Sequence, residues 1–390
     1  RGEVMSIKET LKEEEYIKNI MDLRLNKLNT KWFNTHSYSK LKALSNDLFS
    51  FGELYGICTE EYNMPWNNTR INDIFNDNYC KSMQKYVNNI LLESGSYQKI
   101  SDSVIDIFSE CKYPFYKNYG KSLKRFNHND MMELMGSFLN DYDERVYKKF
   151  KDSLDNMEVF LINDELPYNG ATYNVDSLGK SFICLDASIP MGVYFSKIVI
   201  HEMGHVFEQS LNRNNDVRLR NYFYESYYYE VSSEFFEYAF LNYLKENKIY
   251  TEEADLMLDI HYKELFIHMA SINLLTSLNE DALCEILENG SAISAFSDKI
   301  EQIENKANYY SFFEEDKLNL IDDFIYGVGE LFSIYLYKYY KEDKEKFKKD
   351  FINVMCSYPY RNDILAFNDL KIDTDTLIKG KELRRVLTKK

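Results

Sequence analysis

Apolar residues recur at three- and four-residue spacing along most of this chain, and this periodicity limits its possible folds more than any other feature. The spacing is clear in residues 131–154, where the apolar positions are Met131, Leu134, Met135, Phe138, Tyr142, Val146, Phe150 and Leu154. Glycine and proline, which interrupt helices, number only 14 and 5 among 390 residues. We therefore predict a mainly α protein.

One short stretch interrupts the helical pattern. Residues 165–186, ELPYNGATYNVDSLGKSFICLD, concentrate Pro, Asn and Gly around the strand-like runs ATYNV and SFICL. We interpret them as a small β-hairpin, preceded by helical sequence up to about residue 160 and followed by helices from about Tyr194. The predicted division is a helical lobe over residues 1–160 and a catalytic region over residues 161–390.

Charge and cysteine usage exclude several classes of partner. The net charge of -16 repels nucleic acid and anionic membranes, so we predict neither as a partner. The six cysteines form no C-x-x-C pair, which argues against a thiolate metal cluster and indicates a reducing compartment. No apolar run reaches 18 residues and the charged start RGEVMSIKETLKEEE does not resemble a signal peptide. We predict a cytoplasmic protein; its oligomeric state is not indicated.

The sequence HEMGH, residues 201–205, places two histidines four residues apart with a glutamate between them. On a helix both rings face one side and can bind a single metal ion at about 2 Å. Glu202 then lies beside the metal, where its carboxylate can take a proton from a zinc-bound water and pass it to a leaving amine. The apolar segment VIHEMGHVF also suits a core helix, but buried imidazoles and carboxylates need partners, which a metal supplies. We predict one zinc ion here.

A hydrolytic zinc site needs a third protein ligand and an open position for water. Residues 224–240, YESYYYEVSSEFFEYAF, offer Glu230, Glu234 and Glu237 on one helical stripe. Any of the three can be the ligand, while its neighbours hydrogen-bond the ligating histidines. Spacing alone does not choose among them, and a solvent-facing acidic stripe is the structural alternative. The apolar neighbours of this stripe argue against exposure.

The two segments together resemble the oligoendopeptidase F and thimet oligopeptidase family of zinc metallopeptidases. The family motif is H-E-x-G-H, followed about 25 residues later by E-x-x-S-x-x-x-E. Here HEMGH is followed at that distance by EVSSEFFE. The resemblance implies that the zinc ligands are His201, His205 and Glu230.

The same resemblance assigns the remaining motif positions. Glu202 becomes the general base, Glu237 an acid that lies behind the ligands, and Ser233 the motif serine. Glu234 has no role in the family pattern.

Three further segments extend the resemblance across much of the chain. The family's helix before the active-site strands resembles residues 133–162, its Gly-Ala-Tyr hairpin resembles residues 169–186, and its C-terminal segment resembles residues 358–373. The first 110 or so residues match only loosely, so the chain looks like a version with a shortened N-terminal lobe. The resemblance implies a gluzincin-like fold, in which two helical lobes flank a substrate cleft and a small sheet lies beside the zinc-binding helix.

In that family a tyrosine on a late helix stabilises the oxyanion of the tetrahedral intermediate. The segment FIYGVGE, residues 324–330, resembles the corresponding family segment and implies this role for Tyr326, with Phe324 where a second tyrosine is common. Tyr326 as ordinary packing is the alternative in a chain with 33 tyrosines.

Two departures from the family pattern concern substrate binding. The family histidine about ten residues before this tyrosine is missing from residues 311–323, and the paired glycines of the substrate loop are missing from residues 354–360. His261 and His268 could substitute, although their spacing favours two histidines on a helix surface.

These features favour a cytoplasmic zinc endopeptidase that hydrolyses short peptides, with the strand SFICLD pairing with the substrate backbone as an edge strand. A second hypothesis is a degenerate relative that keeps the metal and binds peptides or a partner without cleaving them. A third is a toxin-like protease directed at proteins, in which Glu234 is the zinc ligand.

Overall fold

The computed structural model is mainly α, as predicted. It describes residues 14–35, 37–59, 69–115, 125–162, 168–214, 227–279, 281–283, 296–307, 320–357 and 363–388. Its helices are α1 (Glu14–Phe33), α2 (Tyr38–Thr59), α3 (Thr69–Glu110), α4 (His128–Tyr142), α5 (Glu144–Asp155), α6 (Val193–Asn214), α7 (Val231–Glu246), α8 (Thr251–Leu275), α9 (Ser297–Ala307), α10 (Leu320–Glu342), α11 (Lys344–Met355), α12 (Thr374–Lys379) and α13 (Lys381–Thr388). None of the helices in these ranges is long and apolar enough to span a membrane.

The chain divides into two units that interleave along the sequence. The first unit comprises residues 1–82 and 123–222, and the second comprises residues 83–122 and 223–390. Helix α3 begins in the first unit and ends in the second. The division at residue 160 expected from the sequence remains a prediction.

The first unit contains a three-stranded sheet made of β1 (Val159–Ile162), β2 (Gly170–Val175) and β3 (Lys180–Asp186), in the order β1-β3-β2. Strands β2 and β3 form the predicted antiparallel hairpin, and β1 pairs with β3 in parallel. β1 falls in sequence that we expected to be helical up to residue 160. All four residues of β1 are buried, and a short continuous apolar run does not distinguish a buried strand from a buried helix.

The strand order corrects the expectation that β3 binds substrate as an edge strand. β3 lies in the middle of the sheet, with its hydrogen-bonding groups directed at β1 on one side and β2 on the other. Turn residues around two strand-like runs predicted the hairpin, but nothing in the sequence indicated separately that β1 would join it. Within the described sheet, the edge strands are β1 and β2.

Helices α2 and α6 both contact the sheet. Phe51 of α2 meets Phe182 of β3 edge to face, with ring centroids 5.7 Å apart, in an apolar core that also includes Phe160. Asp47 of α2 accepts the backbone N–H groups of the turn after β2, at 3.1 Å from Asp176 and 2.8 Å from Ser177. Helix α6, which carries HEMGH, contacts β2 and β3, so the predicted sheet lies beside this helix.

Helices α7, α8 and α10 pack together in the second unit. Two glycines of α10 permit this close packing. A Cβ atom on Gly327 would lie 2.8 Å from Cβ of His268 on α8, and one on Gly329 would lie 2.8 Å from Cγ of Glu234 and 2.9 Å from the carbonyl oxygen of Glu230. The Gly-Val-Gly sequence therefore sets how closely α10 approaches both neighbours.

Candidate functional site

The two histidines of HEMGH lie one turn apart in α6, as predicted. His201 and His205 are both buried, and their ring centroids are 5.2 Å apart. A nitrogen atom of one ring lies within 4.8 Å of a nitrogen atom of the other. Two imidazoles at this separation on one helical face are a suitable pair of ligands for a metal ion.

Strand β2 positions the carboxylate between these histidines. The hydroxyl of Thr172 donates to Oε2 of Glu202 at 2.6 Å, and both residues are buried. Gly170 leaves the space that this arrangement needs, since a Cβ atom there would lie 2.8 Å from Cγ2 of Ile198 and 3.1 Å from Oε1 of Glu202. The helix and the hairpin together fix the orientation of Glu202.

Glu230 is the residue that immediately precedes the first turn of α7. Its side chain is buried, and the hydroxyl of Ser233 lies 2.6 Å from Oε2 of Glu230 and 2.9 Å from its carbonyl oxygen. Ser233, the serine of the predicted motif, therefore restrains the carboxylate of Glu230. A buried carboxylate held by a hydroxyl is a suitable oxygen ligand for zinc.

A buried carboxylate on α3 anchors the chain just before Glu230. Glu93 accepts hydrogen bonds from the hydroxyls of Tyr227 and Tyr228, the latter at 2.7 Å. It also accepts the backbone N–H of Ile364 at 2.8 Å. Sequence reasoning missed Glu93, because nothing in its helical context distinguishes it from a surface glutamate. The run of tyrosines before Glu230 was the available signal, since buried tyrosine hydroxyls need acceptors.

Tyr326 and Phe324 lie on different faces of α10. Tyr326 is 36% exposed, whereas Phe324 is fully buried against the rings of Tyr97 and Tyr227, with centroids 5.3 and 5.0 Å away. The ring of His268 lies 6.1 Å from that of Tyr326. Phe324 is thus a core residue, whereas Tyr326 is partly exposed.

The two histidines of α8 are largely buried, although their spacing favoured exposed positions on the surface of a helix. His261 is 1% exposed, and the side chain of His268 is 19% exposed. Nδ1 of His268 lies 2.8 Å from Oε2 of Glu330 on α10. Spacing placed both histidines on one face of α8, but it did not show that α7 and α10 would cover that face with carboxylates.

Burial alone would lower the pKa of His268, but the charge of Glu330 and its hydrogen bond, together with Asp323 and Glu264, raise it to about 9. Because the ordinary value is 6.5, the protonated ring stabilises the fold fully below pH 6.5, and this contribution is lost as the pH rises through about 9. We expect the difference in unfolding free energy between the wild type and His268→Gln to shrink across this range by up to about 3 kcal/mol. Urea unfolding of the metal-free proteins at several pH values measures this difference, and a difference that stays constant with pH would contradict the prediction.

The predicted site residues come from both units. His201, Glu202 and His205 belong to the first unit, and Glu230, Glu237 and Tyr326 belong to the second. Glu237 is buried, with Oε1 3.9 Å from Nδ1 of His261. The predicted departures from the family pattern fall largely on residues 311–319 and 358–360, which lie outside the described residues.

No family model matches the sequence, and no curated protein is similar to it. The fold is similar to three solved structures. A protein assigned as a peptidase from Chlamydophila abortus has a TM-score of 0.50 and 13% identity, over 90% of this chain and 62% of that one. A protein assigned as oligoendopeptidase F gives 0.58 and 11%, over 99% and 71% of the two chains. PZ peptidase A, determined with an inhibitor, gives 0.51 and 11%, over 98% and 70%.

At these identities the similarity establishes a shared fold. The chain spans 62% of the length of the Chlamydophila abortus protein and about 70% of the other two. The described residues also include groups of buried histidines and glutamates that are able to hold a metal ion, such as Glu234, His261 and Glu330 in the second unit.

Proposed function

We propose that this protein is a zinc-dependent endopeptidase that hydrolyses short peptides. The observation that carries the proposal is the helix α6, where two buried histidines flank a buried glutamate whose carboxylate is held by Thr172. The fold shared with three peptidase structures supports it. The zinc ligands in this proposal are His201, His205 and Glu230.

The donor set suits zinc, since two neutral imidazoles and one carboxylate are the ligands of many hydrolytic zinc sites. When bound there, zinc lowers the pKa of a coordinated water and polarises the scissile carbonyl. Glu202 takes the proton of the attacking water on its carboxylate and later donates it to the leaving amine. The hydroxyl of Tyr326 donates a hydrogen bond to the developing oxyanion. Glu237 restrains the histidine ligands through their free ring nitrogens.

Strand β2 is the proposed contact for the substrate backbone. It is an edge strand of the described sheet, and it carries Thr172, which orients Glu202. An extended peptide added along this edge gains main-chain hydrogen bonds without requiring a particular side chain. This arrangement is consistent with a peptidase that accepts many short sequences.

The proposed location is the cytoplasm. Within the described residues Cys58, Cys80, Cys111 and Cys184 are free thiols, which supports a reducing compartment. The proposed substrates are peptides, with neither nucleic acid nor a membrane as a partner.

A digest of a synthetic peptide library, followed by mass spectrometry, tests the function. The zinc-loaded protein is expected to cleave internal bonds of short peptides, to lose this activity after dialysis against a chelator, and to regain it when zinc is added. Zinc-loaded protein that binds peptides without cleaving any would favour the degenerate relative instead. Cleavage that persists in the chelated protein would contradict a metal-dependent mechanism.

The hydroxyl of Thr172 provides a narrower test of how Glu202 is held. Thr172→Val keeps the shape of the side chain but removes a hydrogen bond to a carboxylate, which we expect to lower kcat by roughly thirtyfold, or about 2 kcal/mol. Thr172→Ser keeps the donor and serves as the matched control, with kcat close to that of the wild type. Steady-state kinetics at equal zinc content measures the effect. Equal rates for the two variants would show that the hydroxyl does not position Glu202.

A further inference from the structure

The proposed reaction does not use the imidazole of His261, which lies among polar groups. His261 is 1% exposed, and its Nδ1 atom has no hydrogen-bond partner within the part of the chain that the structure describes. The nearest carboxylate oxygens are Oε2 of Glu234 at 3.6 Å and Oε1 of Glu237 at 3.9 Å. Both distances exceed those of charge-assisted hydrogen bonds, which are about 2.7–2.9 Å.

The other ring nitrogen shows where the proton of the imidazole lies. The hydroxyl of Ser333 donates to the carbonyl oxygen of Glu330 at 2.7 Å, and its oxygen lies 3.3 Å from Nε2 of His261. Because the serine proton is used in the shorter contact, Nε2 carries a proton and donates it to Ser333. In the neutral ring Nδ1 then presents a lone pair towards two carboxylates, which is unfavourable in a buried site. Either a proton on Nδ1 or a metal ion between these groups relieves it, and the separations of 3.6 and 3.9 Å are long for the N–H···O bonds that a proton would make.

The distances match metal coordination better than direct hydrogen bonding. Ligand atoms about 2.1 Å from a tetrahedral ion lie roughly 3.4 Å from each other. Candidate ligand atoms of Glu234, His261 and Glu330 all lie within 4.8 Å of one another, and the three side chains are buried. We propose that Glu234, His261 and Glu330 form a second cation site, which takes a divalent transition-metal ion such as Zn²⁺ or Mn²⁺.

The packing of the second unit explains how these three groups meet. Glu234 lies on α7, His261 on α8 and Glu330 on α10, so a bound ion links the three helices. Gly329 precedes Glu330 and allows α10 to approach within contact of Glu234, because any side chain at this position would overlap Cγ of that residue. All three ligands belong to one unit, and none is a ligand of the proposed catalytic zinc.

Metal content measured by mass spectrometry tests the second site. After dialysis in buffer with excess zinc followed by removal of free metal, the wild type is expected to hold two equivalents. His205→Ala and His261→Gln should each hold one, and the double variant none. Glu144→Gln, which removes a charge at an exposed position at the start of α5 and changes no proposed ligand or residue that orients one, is the control and should retain two equivalents.

Unfolding of the His205→Ala variant gives a second measurement that does not depend on a variant at His261. Added zinc is expected to raise its unfolding midpoint with saturation, because an ion that binds only the folded state stabilises it. The second site is overturned if the wild type holds one equivalent of zinc, His205→Ala holds none, and added zinc does not raise the unfolding midpoint of His205→Ala. That result would leave the proposed catalytic zinc intact. If the second site is present and the catalytic zinc site is not, His205→Ala will hold as much metal as the wild type.

Discussion

Replacing Glu202 with glutamine is expected to lower kcat for peptide hydrolysis by between about a hundredfold and ten-thousandfold, the range that a general base contributes. Glutamine has nearly the same shape as glutamate, and its carbonyl oxygen can still accept the hydrogen bond from Thr172. The amide cannot take a proton from water, so the reaction loses its base. The fold and the bound zinc should remain unchanged.

Single-turnover kinetics, zinc content and the unfolding midpoint together check this expectation. The control is Glu144→Gln, which makes the same chemical change at an exposed position at the start of α5. This control should retain the activity of the wild type. A Glu202→Gln protein that is loaded with zinc and turns over peptides at the wild-type rate would remove Glu202 from the proposed mechanism.

Replacing Glu230 with alanine is expected to weaken the catalytic zinc by more than about a hundredfold, since even residues behind the ligands contribute 10–100-fold to metal affinity. The carboxylate of Glu230 is the one restrained by Ser233, which reduces the freedom it must lose when it binds an ion. Glu234→Ala should leave the catalytic zinc bound, because the proposal assigns Glu234 to the second cation site and not to the catalytic one.

Recovery of activity as free zinc is titrated into chelated protein distinguishes the two variants, because it reports the catalytic ion independently of any ion near His261. The wild type and Glu234→Ala should recover at similar zinc concentrations, and Glu230→Ala only at much higher ones. The opposite result would make Glu234 the ligand and favour the toxin-like protease considered from the sequence.

The sequence predicted the helices and the hairpin, whose formation depends on residues close together in the chain. The helical repeat in residues 131–154 identified α4 and α5, although not the break between them. Asp143 makes this break, because its side chain accepts the N–H of Arg145 and caps the second helix. The β2–β3 hairpin was predicted from turn residues around two strand-like runs, and it is present.

Contacts between distant segments could not be predicted in the same way. β1 pairs with β3 across more than twenty residues, and its four apolar residues carry no periodicity that would assign them to a strand. Glu93 and His261 are buried polar groups whose partners come from distant segments of the chain. Their environments depend on how those segments pack, which is a property of the folded chain and not of any single segment.

In the candidate site, too, the residues of a local motif were predicted and the residues that orient them from distant segments were not. HEMGH needed only helical geometry to place His201 and His205 on one face. The residues that hold Glu202 came from β2, where Thr172 and Gly170 have no catalytic motif of their own. Sequence motifs identify groups that do chemistry more readily than the groups that orient them, because orientation can be supplied by many residue types.

The carboxylate of Glu93 is one group on which two distant segments of the chain depend. It accepts hydrogen bonds from Tyr227 and Tyr228, just before Glu230, and from the N–H of Ile364, which lies 271 residues after Glu93. A substitution near Ile364 that displaces this N–H therefore acts on the segment that leads into the proposed ligand Glu230, although no proposed catalytic residue is its neighbour in the sequence.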